Sequence, residues 1–199
     1  MKKFLFLAIF GLFFSANLNF GFAEENHGKI LVAYFSRSGE EYSIGNVAKG
    51  NTKVIAEIIS QKVGGDLFEI KPVKNYPVDY NECTKIASSE KAVKARPEIF
   101  GEVENFEQYD TIFLGYPIWW GDMPMVVYTF LEKYNFDGKK IIPFCTHGGS
   151  GLSSTEQQIT LTCPNAKILQ GFEIRGATAQ KNFSESEQKV SDWLKKIGF

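Results

Sequence analysis

The sequence has few of the residues that build metal sites and disulfide frameworks. Its 199 residues include three cysteines, Cys83, Cys145 and Cys163, and two histidines, His27 and His147. No spacing among them resembles a metal site, so a metal centre is not expected. The thiols allow one disulfide plus a free thiol, or no disulfide at all, and the sequence does not select a pair.

Strong charge of either sign is absent as well. The chain carries 22 Lys and Arg residues against 23 Asp and Glu residues, a formal net charge of −1 at pH 7. Because there is no basic stripe, nucleic acid is not an expected partner. The balance is also too mild to indicate a strongly acidic docking face. Internal repeats, low-complexity tracts and linkers are missing too, which favours one domain.

Long apolar runs are confined to the amino terminus. Residues 1–3 are a short basic start, residues 4–14 are almost all apolar, and small residues at Gly21 and Ala23 end the segment. This order is typical of a secretory signal peptide cleaved after Ala23. A retained membrane anchor is the alternative, which the shortness of the run disfavours. We expect an exported mature chain of residues 24–199, periplasmic or secreted, with no membrane span.

The mature chain is organised around residues 30–52. Residues 30–35 form a near-continuous apolar run, typical of a strand buried on both faces of a parallel sheet. A hydroxyl- and glycine-rich loop follows, and a helix begins near Asn51 or Thr52. Backbone N–H groups and the helix dipole make such a junction a candidate anion site. An ordinary strand-to-helix connection uses the same residue types.

Hydrophobic periodicity predicts five strands that alternate with five helices. The predicted strands are residues 30–35, 66–70, 111–115 and 140–145, with a last strand inside 166–174 that Gly171 interrupts. The predicted helices are residues 51–63, 79–95, 125–134, about 151–161 and 184–197. Ser184 and Glu187 form a candidate capping box for the last helix. Right-handed crossovers then give an α/β fold with an open parallel sheet and helices on both faces.

Three loops leave the carboxyl ends of predicted strands, where doubly wound sheets bind ligands. The first, after residue 35, offers hydroxyls and N–H groups for a phosphate. The second, residues 116–121, offers the flat faces of Tyr116, Trp119 and Trp120. The third, residues 146–151, is rich in glycine, so its backbone can approach a ligand closely. One phosphate, one flat ring and one polar ring edge describe a flavin mononucleotide (FMN). Simple packing is the alternative for the tryptophans, and a structural role for His147.

On these three motifs, residues 30–199 resemble the flavodoxin-like family. The resemblance implies a single three-layer domain with a five-stranded parallel sheet in the order 2-1-3-4-5, and FMN bound without a covalent link. It implies that the phosphate contacts Ser36, Arg37, Ser38, Gly39, Asn51 and Thr52. It implies that the ring lies against Pro117, Ile118, Trp119, Trp120 and Gly121, and its pyrimidine edge against Thr146, His147, Gly148, Gly149 and Ser150.

Two features depart from that family. Flavodoxin-type phosphate loops usually run from the glycine straight into Asn-Thr, whereas residues 40–50 intervene here. Either the loop bulges and returns, or Asn51 and Thr52 no longer touch the phosphate. Because Glu40 and Glu41 would repel a phosphate, we expect the excursion to swing away from it. The second departure is export, since flavodoxins are usually cytoplasmic carriers.

These observations favour an FMN protein that transfers electrons outside the cytoplasm to a redox partner protein. The first alternative is an NAD(P)H- or quinol-dependent reductase of quinones or nitro compounds, with a small quinone-like substrate. In that enzyme His147 would donate a proton or stabilise negative charge on the reduced ring. The second alternative is a flavin-free binding module on the same fold. The oligomeric state stays open.

Overall fold

A computed structural model describes residues 27–199 of the chain. The predicted signal peptide lies outside the described residues. The strands are β1 (Lys29–Tyr34), β2 (Gly39–Glu41), β3 (Gly45–Val47), β4 (Asp66–Glu69), β5 (Lys71–Pro72), β6 (Ile99–Phe100), β7 (Tyr109–Pro117), β8 (Lys140–His147), β9 (Lys167–Ile168) and β10 (Phe172–Arg175). The helices are α1 (Asn51–Val63), α2 (Tyr80–Ala92), α3 (Met125–Lys133), α4 (Thr155–Thr162), α5 (Gly176–Lys181) and α6 (Phe183–Lys196).

The central sheet is parallel, with the strand order β10-β8-β7-β1-β4. Numbered by chain order among these five strands, this is 2-1-3-4-5, so the predicted fold is confirmed. The remaining strand of the sheet, β9, also pairs with β8. The predicted last strand is therefore two short strands, interrupted at Gly171, whose N–H donates to Glu156 Oε1 over 2.9 Å.

Two hydrophobic cores cover the two faces of the sheet. Alternate residues of β7 point to opposite faces, so Ile112 and Leu114 join one core and Phe113 joins the other. Helices α3 and α4 cover the first face, and α1, α5 and α6 cover the second. Burial on both faces explains why the central strands read as unbroken apolar runs.

The start of the last helix differs from the prediction. The Asn182 side chain caps α6 by accepting from the N–H of Glu185 over 3.1 Å, and its Nδ2 donates to the Glu185 carboxylate over 3.0 Å. The predicted capping box of Ser184 and Glu187 is therefore wrong by two residues. Asparagine is as good an N-cap as serine, and Asn182 directly follows α5.

The three cysteines are buried and free. Within residues 27–199, no helix combines the length and the apolar character that crossing a bilayer requires.

Phe113 tests the account of the second core. Its side chain is fully buried, with edge-on ring contacts to Trp193 and Phe199. We expect Phe113→Ala to lower the free energy of unfolding by about 3–5 kcal/mol, because it removes buried contacts and leaves a cavity. Phe100, which is 70% exposed, is the matched control, and Phe100→Ala should cost less than about 0.5 kcal/mol. Denaturant unfolding at pH 7 measures both, and equal losses would contradict this packing.

Candidate functional site

A cavity of about 240 Å³ opens where the carboxyl ends of β7, β8 and β10 meet the start of α1. The predicted site residues that line it are Arg37, Asn51, Pro117, Ile118, Trp119, Trp120, Thr146, His147 and Gly148. The predicted site residues outside its lining are Ser36, Ser38, Gly39, Thr52, Gly121, Gly149 and Ser150. Members of all three predicted loops therefore meet around one cavity.

The second loop is a tight two-residue turn. The N–H of Trp119 donates to the carbonyl of Asp122 over 2.8 Å, and the N–H of Asp122 donates back over 3.1 Å. Trp120 and Gly121, with φ of 53° and 73°, occupy the two central positions. Positive φ at both positions is the type I′ geometry, in which glycine is preferred. The turn holds both tryptophans on the cavity, whereas Gly121 lies outside its lining.

Each tryptophan is anchored differently. The half-buried Trp119 ring makes edge-on contacts with Phe35 and Tyr76, at centroid distances of 5.4 and 5.0 Å. Trp120 is 59% exposed, and its indole N–H donates to the carbonyl of Thr84 in α2 over 3.0 Å. Tyr116, which was also predicted to offer a ring face, is instead fully buried in the core. The aromatic surface of the site therefore comes from the tryptophan pair.

The first residue of the third loop is hydrogen-bonded to the start of α1. Thr146 Oγ1 and Thr52 Oγ1 lie 2.8 Å apart in a buried hydrogen bond. Thr52 lies outside the cavity lining, and its contact with a phosphate stays a prediction. Gly148 lines the cavity, with the Tyr42 ring 3.0 Å from where a Cβ would stand.

His147 is 91% buried at the end of β8, and one ring nitrogen has no partner. Its Nε2 is hydrogen-bonded to Glu173 Oε2 on the neighbouring strand β10. Its Nδ1 is buried without a partner in the part of the chain that the structure describes. Glu173 was missed from the sequence because nothing local links it to His147. The pairing of β8 with β10, which sets Glu173 beside Cys145 in register, brings them together.

Arg37, a predicted phosphate contact, uses most of its N–H groups inside the protein. Its guanidinium donates to the carbonyls of Pro77 and Val78 over 2.8 and 3.0 Å, and to the carbonyl of Glu40. The side chain is 8% exposed. Arg37 therefore ties the loop after β1 to the segment before α2, although part of its side chain still lines the cavity.

Ser36 and Ser38 line a different space. They border an open cleft of about 440 Å³ on the β1 and β4 side of the loop, together with Gly50 and Lys53. Ser36 Oγ accepts from the N–H of Lys53 over 3.1 Å. A Cβ at Gly50 would stand 2.2 Å from the carbonyl oxygen of Arg37, so only glycine allows this approach of the loop to α1.

The inserted residues 40–50 contribute a hairpin of β2 and β3 that folds back over the cavity. Residues 42–44 of its turn line the cavity. Tyr42 lies 6.2 Å from the Tyr80 ring, and Glu40 accepts from the N–H of Tyr80 over 3.1 Å. The expectation that the excursion swings away is therefore wrong. The loop bulges and returns, and Asn51 stays on the cavity.

Glu41 is the residue of this hairpin that sequence reasoning missed. Its carboxyl accepts from Asn51 Nδ2 over 3.4 Å and lies 3.4 Å from a nitrogen of the Arg37 guanidinium. Burial raises the pKa of Glu41 to about 7, although the positive charge of Arg37 lowers that pKa in part. The sequence showed the carboxylate but not its position, because the fold of the insertion determines where it points.

Cys83 of α2 also lines the cavity. Burial raises the pKa of its thiol to about 11. The thiol is therefore protonated at neutral pH and is a poor nucleophile.

The pair of Thr52 and Thr146 tests how the site is held together. We expect Thr52→Val or Thr146→Val to lower the free energy of unfolding by about 1–3 kcal/mol, because each leaves a buried hydroxyl unpaired. The double variant should lose clearly less than the sum, since it leaves neither hydroxyl unpaired. Strictly additive losses in denaturant unfolding would contradict the hydrogen bond.

Comparisons with known proteins agree with this geometry. A family model described as flavodoxin matches residues 29–197. A solved candidate flavoprotein of Bacteroides eggerthii is 33% identical with a TM-score of 0.69, covering 86% of this chain and 99% of that one. One of Bacteroides uniformis is 32% identical with a TM-score of 0.68, covering 84% and 98%.

A Lactobacillus acidophilus flavoprotein, solved in complex with FMN, has the same fold at 22% identity. Its TM-score is 0.62, with 83% of this chain and 98% of that chain covered. Among curated proteins, none matches the chain. The family match over residues 29–197, together with the strand order and the three converging loops, shows that the chain belongs to the flavodoxin family.

Proposed function

We propose that this protein binds FMN without a covalent link in the cavity beside Trp119 and Trp120 and transfers electrons outside the cytoplasm. One observation carries the proposal. The ends of β7 and β8 and the start of α1 surround a single cavity that has a tryptophan pair on one side. Two of the residues that line it, Asn51 and His147, each have a buried side-chain atom, Oδ1 and Nδ1 respectively, without a partner among the described residues.

The chemistry of the lining residues fits FMN. A buried polar atom without a partner costs about 1–3 kcal/mol, so these two atoms favour a ligand with polar groups of its own. Asn51 Oδ1 can accept from a hydroxyl of the ribityl chain. The indole rings of Trp119 and Trp120 offer the flat apolar contact that an isoalloxazine ring needs. The FMN in the structure of the Lactobacillus acidophilus relative supports the same cofactor here.

Each part of the cofactor has its own candidate contacts. Pro117, Ile118 and the tryptophan pair would hold the ring, and residues 146–148 would face its polar edge. The phosphate end would lie near Asn51, where the start of α1 favours an anion. Bound FMN supplies reversible uptake of one or two electrons. The protein orients the ring, limits its exposure to water and sets its potential through these contacts.

A reductase of quinones or nitro compounds is the second candidate. The cavity extends from the tryptophans to Tyr80, Cys83, Thr84 and Ala87 of α2, which leaves space for a small substrate beside a ring. His147, fixed by Glu173, is the candidate proton donor. Export disfavours NAD(P)H as the electron source, because nicotinamide cofactors are scarce outside the cytoplasm, but a membrane quinol would serve instead.

The flavin-free module loses its main support. That alternative depended on the insertion dismantling the phosphate end of the site. Instead the hairpin returns the chain to α1, and Asn51 remains on the cavity lining. The insertion therefore adds a cover over the cavity and leaves its lining in place.

Export remains part of the proposal. The basic start, the apolar run and the small residues at Gly21 and Ala23 support a signal peptide. Amino-terminal sequencing of the protein purified from its native cell tests this directly. A mature start at Glu24 supports export, and an intact residue 1 contradicts it.

Titration of purified residues 24–199 with FMN tests cofactor binding. We expect strong quenching of flavin fluorescence and flavin absorbance that stays with the protein through gel filtration. Absence of binding would overturn the proposal. Steady-state assays of the FMN-loaded protein then separate the two candidates. Rapid oxidation of NAD(P)H or a quinol by a quinone favours the reductase. Slow oxidation of these donors, together with rapid electron transfer to a partner protein, favours the carrier.

Trp120 tests which surface the ring contacts. The side chain is 59% exposed, so Trp120→Ala should leave folding almost unchanged. We expect it to weaken FMN binding by about tenfold, because an aromatic contact is worth about 0.5–1.5 kcal/mol beyond its buried area. Phe100→Ala, which removes an exposed ring that does not line the cavity, is the control and should bind FMN normally. Equal affinities of both variants would exclude the tryptophan surface.

A further inference from the structure

Helix α1 begins at Asn51, which lines the cavity. Its N-cap residue, Gly50, has no side chain, although Ser36 Oγ from the loop after β1 accepts from the N–H of Lys53 in the first turn. A helix start favours an anion, because its first N–H groups lack partners within the helix and its dipole is positive there. The anion that lies there is internal: the Glu41 carboxyl, which contacts Asn51 in the first turn and the Arg37 guanidinium.

A second observation shows that a ligand is expected at the same place. Asn51 is 91% buried and lines the cavity, yet its Oδ1 has no partner within the described part of the chain. Its Nδ2 is used by Glu41 over 3.4 Å, which is long for a hydrogen bond. Glu41 therefore holds the Nδ2 donor of Asn51 only weakly, and a ligand phosphate can take that donor in its place.

Several charged and titratable groups face Glu41. Arg37 from the loop after β1 is the cation beside it. Tyr80 and Cys83 of α2 interact with it electrostatically, and both have pKa values raised by burial, so both stay neutral near pH 7. His147 and Arg175 line the same cavity at the ends of β8 and β10. Arg37 is the only one of these in contact with the carboxyl, and most of its donors are used elsewhere.

We propose that the Glu41 carboxylate lies beside the position of the flavin phosphate at the start of α1, and that FMN binds tightly only when Glu41 is protonated. The proposal rests on the FMN site proposed above and adds a coupling between cofactor binding and one proton. Two anions side by side in a half-closed cavity repel each other strongly, so one of them must lose its charge or move. The hairpin that carries Glu41 is the insertion that separates this chain from the usual phosphate loop.

The direction of the pH dependence follows from the pKa of about 7. Above pH 7 Glu41 is mostly charged, and its negative charge repels the FMN phosphate and lowers the affinity for FMN. Because the folded protein holds this proton more tightly than the unfolded chain does, ionised Glu41 also lowers stability as pH rises toward 7. Neutralising Glu41 should therefore raise both FMN affinity and stability at alkaline pH.

Four titrations test the proposal: FMN and riboflavin, each at pH 7.0 and 8.5, on the mature chain. A flavin phosphate is almost fully dianionic across this window, since its second pKa is about 6. We expect FMN affinity to fall by more than about tenfold from pH 7.0 to 8.5 in the wild type. Riboflavin, which lacks the phosphate, should bind with little change.

Variants of the two neighbouring glutamates supply the comparison. Glu41→Gln should bind FMN with nearly equal affinity at both pH values and more than about tenfold tighter than wild type at pH 8.5. Glu40→Gln is the matched control, because it removes the same charge from the same hairpin while its carboxyl contacts the N–H of Tyr80. It should keep the wild-type pH dependence.

Each contrary outcome has a distinct meaning. If FMN binds but Glu41→Gln keeps the wild-type pH dependence, the coupling to Glu41 is wrong and the FMN site stands. If riboflavin shows the same pH dependence as FMN, Glu41 does not compete with the phosphate. If no flavin binds to any protein, the FMN site and this inference both fail. Should Glu41→Gln not fold, calorimetry of the wild type in two buffers must show net proton uptake with FMN at pH 7.5, and zero uptake overturns the inference.

Discussion

The buried hydrogen bond between Thr52 and Thr146 holds the site together. It joins the start of α1 to the end of β8, two segments that are 94 residues apart in the chain. Because β8 also carries His147 and leads into Gly148, this one contact fixes the start of α1 relative to the loop after β8. The parallel sheet brings the β7 turn beside them, since all its strands end on the same side.

The inserted hairpin adds residues to the cavity lining, while the strand ends and the start of α1 form the rest of it. In place of a short phosphate loop, the hairpin of β2 and β3 covers the cavity and brings a carboxyl to the helix start. Glu41 and Arg37 there form a small internal ion pair that stands where a ligand anion is expected. The hairpin and the strand ends thus line the same cavity from different parts of the chain.

The sequence predicted the sheet and the tryptophan turn well, because both depend on local pattern. Continuous apolar runs mark strands buried on both faces, and adjacent tryptophans before Gly121 indicate a loop. It failed where partners come from distant segments. Arg37 donates to the carbonyls of residues 77 and 78, and Thr52 is hydrogen-bonded to Thr146. The position of Glu41 could not be predicted, since nothing in residues 40–50 specifies on which side of the loop the hairpin folds.

A crystal structure of the mature chain with FMN would test the central claim most directly. The account predicts the ring against Trp119 and Trp120 and the phosphate beside Asn51 and the Glu41 carboxyl. A phosphate in the open cleft beside Ser38 and Lys53, with Glu41 unmoved, would contradict it. In that case the anion site would belong to the β1 and β4 side of the loop, and the hairpin would have no part in binding the cofactor.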